Sequence, residues 1–78
     1  MNDKIRFLEI MLSDMVSHRD TLEMELTRLL NEENVPIIHK KIDFDKTLDD
    51  IVLTNNKIKT LSEYMTSVGQ MSDVDNNN

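Results

Sequence analysis

Residues 5–29 read IRFLEIMLSDMVSHRDTLEMELTRL. Within them Ile5, Leu8, Leu12, Met15, Leu22, Leu26 and Leu29 recur at intervals of three and four, with Arg19 at the one stripe position that lacks an apolar side chain. An α-helix turns once in about 3.6 residues, so this spacing gathers the apolar side chains on one face. A strand would alternate every second residue, and this stretch does not. The reading is therefore an amphipathic helix with an a/d seam more than about three heptads long. Val16, Met11 and Leu30 widen the seam on its flanks. Asn2 or Asp3 is suited to cap the helix, which is expected over about 3–33.

Working outward, Pro36 disfavours helical backbone at Val35, and Asn34 suits the left-handed conformation that ends many helices. A turn at 34–35 follows. Beyond it Ile37, Phe44, Ile51, Ile58 and Met65 recur every seven residues. Leu48, Leu61 and Val68 fill neighbouring core-facing positions, and Val52 widens the face. A second helix is expected over about 36–68, with Gly69 at its end. A later start at Asp45 or Thr47 competes with it, using Thr47 and Asp50 as a capping box. Residues 70–78 are polar, and a disordered tail is expected there.

Two helices of near-equal length joined by a short turn fold back as an antiparallel hairpin, so the fold class is all-α and coiled-coil-like. A turn at 34–35 pairs Leu26 with Phe44, Leu22 with Leu48, Leu12 with Ile58 and Ile5 with Met65. Arg19 then falls near Asp50, and this pair is expected to set the register, with Asn55 near Met15 as a second polar device. The seam residues are thus Ile5, Leu8, Leu12, Met15, Leu22, Leu26, Leu29, Phe44, Leu48, Ile51, Ile58, Leu61 and Met65. Left over is an outer apolar face, with Phe7, Ile10, Met11, Val16, Leu53 and Tyr64.

Composition agrees. One glycine and one proline in 78 residues are too few for a turn-rich β architecture. A chain this short usually needs a staple, and there is no cysteine to form a disulfide. Self-association into a bundle, or a partner helix, is the remaining staple.

The net charge of −6 weighs against nucleic acid and anionic membrane surfaces, whose partners carry basic faces. Only His39, Lys40, Lys41 and Lys46 form a dense basic patch, and a solvated helix face explains it. No run of about 18 apolar residues and no apolar leader is present, so a cytoplasmic protein without a membrane span is expected.

Chemistry finds little support. His18 and His39 lie about three turns apart along the seam. The run Asp43, Asp45, Thr47, Asp49 resembles part of a calcium loop, but Leu48 stands where that loop needs glycine and Thr54 where it needs a bidentate glutamate. No serine is placed with a base, and no glycine-rich phosphate cradle exists. No metal, cofactor or enzymatic activity is expected. The sequence predicts a small protein–protein interaction module, a chaperone-like, adaptor or assembly subunit. Six methionines suit an adaptable binding face. The alternatives are an acidic inhibitor of an enzyme or nucleic-acid-binding protein, or a dimeric RNA-binding hairpin.

Overall fold

In the computed structural model, residues 3–77 are described, with side chains through Gly69. Two helices account for nearly all of them: α1 (Asp3–Asn31) and α2 (Ile37–Asn77). Asp3 in the first turn of α1 and Arg28 in its last turn each oppose the helix dipole favourably. The chain reverses over residues 32–36. The Glu32 amide donates to the Leu29 carbonyl at 3.3 Å, and Asn34 takes the left-handed conformation its type allows, with φ 63°. The Pro36 carbonyl then accepts from the His39 and Lys40 amides at 3.0 and 3.1 Å. Pro36 therefore stands just outside α2 as its cap residue, and the longer of the two expected helices forms.

The C-terminal boundaries of both helices differ from expectation. α1 stops at Asn31 rather than near residue 33, because five residues make the reversal instead of two. α2 does not end at Gly69 but runs to Asn77. A glycine inside a helix costs only about 1 kcal/mol relative to alanine and does not by itself terminate one. The stretch expected to be a disordered tail, 70–78, is thus helical as far as Asn77, and Asn78 lies outside the described residues.

The two helices form an antiparallel hairpin measuring 65 × 17 × 12 Å. Its radius of gyration is 18.2 Å, whereas a compact domain of this length has about 11.5 Å. The core is correspondingly thin. On α1 the inward positions are Ile5, Leu8, Leu12, Met15, Arg19, Leu22, Leu26 and Leu29. On α2 they are Phe44, Thr47, Ile51, Thr54, Ile58, Leu61, Met65 and Val68. Only Leu29, at 2% exposure, is a fully buried apolar residue among those described.

These two series have the same alternation of three and four, read in opposite directions. Aligning the two series antiparallel, in the register that the Arg19–Asn55 contact sets, places Leu29 opposite Phe44, Leu26 opposite Thr47, Leu22 opposite Ile51, Leu12 opposite Leu61 and Ile5 opposite Val68. The register therefore lies about one turn beyond the expected one. A two-residue reversal would have brought Leu22 to Leu48. The longer connection instead sets the first turn of α2 beside residues 32–36 and slides the rest along.

Leu48 is the residue that this slide displaces. It is 40% exposed, and Thr47 takes the inward place at 8%. Thr54, at 6%, occupies the layer opposite Arg19. Both hydroxyls are satisfied within α2: Thr47 Oγ1 donates to the Asp43 carbonyl at 2.9 Å and Thr54 Oγ1 to that of Asp50 at 2.8 Å. A helix can bury threonine in this way without an unpaired polar atom.

Candidate functional site

The turn end of the hairpin carries the most concentrated apolar surface on the described residues. Ile37 is 82% exposed, and Ile38, Ile42, Leu30 and Leu48 stand open beside it. With Phe44, Lys40, Lys41 and Asp45 they line an open groove of about 780 Å³. The helix phase explains the exposure. The seam takes Phe44 and Thr47, so Ile38, Lys41, Asp45 and Leu48, spaced by three, four and three, form a second stripe on another side of α2. Ile42 flanks it. Large apolar side chains exposed together, with charged residues at the rim, are the usual form of a protein-binding surface.

Lys40 is the polar anchor of this end. Its Nζ donates to the Leu30 and Glu32 carbonyls, both at 3.0 Å. The last carbonyls of a helix lack intrahelical partners, so a cation there satisfies acceptors and meets the negative end of the dipole. Here the cation comes from the other helix, and the contact ties the start of α2 to the end of α1. Of the basic cluster read as a solvated face, Lys40 thus has a structural task. Lys41 and Lys46 remain exposed.

Midway along the seam, Arg19 does not reach Asp50. Its Nη1 donates to Asn55 Oδ1 at 3.4 Å, across the hairpin. Its Nε is buried without a hydrogen bond and lies 3.6 Å from Glu23 Oε1 and 3.9 Å from Asp20 Oδ1. The shifted register places Thr54 and Asn55, rather than Asp50, beside Arg19. Asp50 is exposed, and its backbone carbonyl receives Thr54. Asn55, rather than Asp50, thus makes the cross-helix polar contact with Arg19.

On the flank of α1, Arg28 bridges two acids. Its Nε donates to Glu25 Oε2 at 3.0 Å and its Nη1 to Glu32 Oε1 at 2.8 Å, while Nη2 also binds Glu25. Hydrogen bonds from Arg28 hold the Glu25 carboxyl below its ordinary value. Those same bonds, to Glu25 first and Glu32 second, push the Arg28 pKa further up. A two-pronged arginine–carboxylate pair has fixed geometry, but this one is open to solvent and works as a surface brace.

Of the residues expected in the seam, Ile5, Leu8, Leu12, Met15, Leu22, Leu26, Leu29, Phe44, Ile51, Ile58, Leu61 and Met65 all point inward. Leu48 does not. Of the outer face, Phe7, Ile10, Met11, Leu53 and Tyr64 are exposed, while Val16 is half-buried beside the seam. Phe7 and Tyr64 share a shallow groove at the open end of the hairpin, far from the turn. The outer residues therefore form more than one patch. Sequence reasoning missed Ile38 and Ile42 as surface residues and Thr47 and Thr54 as seam residues. Counting strictly by three and four from Phe44, whatever the side chain, would have found both threonines.

Among the described residues no group of three histidine or acidic side chains is placed to hold a metal ion, and no helix is long and apolar enough to cross a membrane. No protein-family model matches the chain, and no curated protein or solved structure shows significant similarity to it.

Proposed function

We propose that this protein is a non-enzymatic interaction module of the cytoplasm, a chaperone-like, adaptor or assembly subunit. It uses the outward apolar stripe of its hairpin to bind an amphipathic segment of another protein chain, its own or a different one. One observation carries the reading: the chain has far more exposed surface than its mass requires. Its accessible area is 6364 Å², against about 4,900 Å² for a compact folded monomer of this size. The excess, about 1,500 Å², includes the chain ends, and the exposed large apolar side chains of the described residues are the part that a partner would remove from solvent. Ile37, Ile38, Ile42, Leu30 and Leu48 are the exposed large apolar side chains gathered at the turn end.

The physical logic is that of an incomplete bundle. Two helices share one line of contact, whereas three or four enclose a core. A helix laid along the stripe would cover the exposed isoleucines and leucine in the manner of helix-in-groove recognition. Affinity purification from the native host, run beside a variant with Ile38, Ile42 and Leu48 all changed to serine, tests this. The wild type is expected to self-associate or to retain a protein that the equally helical variant does not. A wild-type chain that stays monomeric and retains nothing more than the variant would overturn the reading.

A further inference from the structure

The interaction-module reading leaves the partner open, and the turn-end stripe of α2 narrows it. Ile38, Lys41, Asp45 and Leu48 follow one another at three, four and three. This order of gaps is the same forwards and backwards, and so is the order of chemistry: apolar, charged, charged, apolar. We propose that this segment packs antiparallel against the same segment of a second copy, about a two-fold axis level with residue 43, so that the two hairpins join through their turn ends. Ile38 then faces the partner's Leu48, Lys41 faces the partner's Asp45, and each contact occurs twice. Ile42 lies beside the axis and fills the space between the two layers. This inference rests on the interaction-module reading and assigns its partner.

Three features favour a second copy over other occupants. The first is charge. In the antiparallel register that matches Lys41 with Asp45, both charges on the stripe are paired with opposites. Sliding the copies by one heptad sets Lys41 against Val52 and Asp45 against Leu48, and parallel packing sets Lys41 against Lys41. Those arrangements bury charge without a partner or bring like charges together, both of which are unfavourable. The second is local composition. The whole chain carries −6, which opposes self-association, but residues 37–46 hold three lysines (Lys40, Lys41, Lys46) against two aspartates (Asp43, Asp45). The contact segment itself is therefore not net acidic, unlike the chain as a whole. The third is symmetry. A two-fold contact needs a self-complementary patch, and the order of gaps and charges supplies one.

Sedimentation equilibrium at concentrations up to about 500 µM tests the proposal, with circular dichroism confirming that each sample is helical. Wild type is expected to dimerise. Lys41→Glu alone and Asp45→Lys alone each create two like-charge contacts, and each is expected to weaken dimerisation by about tenfold or more. Mixed one to one, the two variants bring opposite charges together at both contacts and are expected to regain the affinity of wild type. Both residues are exposed and outside the seam, so the hairpin itself is not at risk. A wild type that is monomeric throughout, an assembly larger than a dimer, indifference to both substitutions, or a mixture that stays monomeric would each overturn the two-fold. A monomeric wild type that still binds a different protein through Ile38, Ile42 and Leu48 would sink this inference alone and leave the interaction module standing.

Discussion

The two helices use their apolar residues differently. α1 carries one dominant stripe, and that stripe is the seam: Ile5, Leu8, Leu12, Met15, Leu22, Leu26 and Leu29 all turn inward. α2 carries two. Its inward stripe includes threonine at positions 47 and 54, and its outward stripe holds Ile38, Leu48 and the nearby Ile42. A helix committed to α1 alone would keep Leu48 inside and leave Thr47 in water. The actual arrangement accepts a weaker seam on α2 and keeps large apolar side chains outside. The lesson is that an apolar period shows that a face will be covered, but not by what. The seam stripe of α1 is covered by α2, whereas the second stripe of α2, like Phe7, Ile10 and Met24 on α1, still lacks a cover.

The contrast is broken most severely at the seam. Leu29→Asp places a carboxylate where the side chain is 2% exposed, and burying an unpaired charge costs several kcal/mol. Helicity by circular dichroism is expected to collapse, and Leu26→Asp, one turn earlier in the same seam, is expected to do the same. Leu48→Asp should leave a folded hairpin. If Leu48→Asp unfolded the chain as well, the two stripes of α2 would not be distinct.

The link between the helices comes next. Lys40→Met removes the cation that binds the Leu30 and Glu32 carbonyls. The expected loss is about 1 kcal/mol, or a melting point lower by about 4–8 °C in a domain of this size. Amide hydrogen exchange should quicken in the last turn of α1. Lys41→Met, on the exposed stripe, should leave that exchange unchanged. Equal effects would mean that the cross-helix cap contributes nothing.

A smaller effect sharpens the comparison in the opposite direction. Thr54→Val exchanges a locally bonded hydroxyl for a methyl in a buried layer. It should raise stability to urea by about 0.5 kcal/mol, since apolar burial is gained and no acceptor is stranded. A loss of stability would show that the polar layer around Arg19 depends on that hydroxyl.

The smallest expected change is in pH dependence. Arg28 holds Glu25 below its ordinary value of 4.5 in the folded chain. A carboxylate with a depressed folded pKa contributes stability at pH above its unfolded value and loses it as pH falls through the folded one. Wild type should therefore lose slightly more stability on acidification below about 4.5 than Arg28→Gln does. The pair is open to solvent, so the difference should shrink further in salt. Glu25→Lys would break the same brace and set two cations side by side.

Much of this hairpin could be read from the residues alone. The scarcity of glycine and proline, the spacing from Ile5 to Leu29, and the Asn34–Val35–Pro36 break were enough for two helices and a reversal between them. The inward face of α1 followed too, because all but one of its stripe positions is large and apolar. On α2 the same method failed at Leu48, because both it and Thr47 lie near the face that Phe44 and Ile51 define. Hydrophobicity favoured leucine, and the neighbouring helix took threonine.

The sequence by itself determined the helices, the seam of α1 and the existence of surplus apolar surface, since these depend on local propensity and on a period set by backbone geometry. Only the tertiary structure decided the register, the place of Leu48, the partner of Arg19 and the use of Lys40. Each of these depends on how far α2 slides along α1, and that distance is fixed by a five-residue connection whose path no helical period encodes.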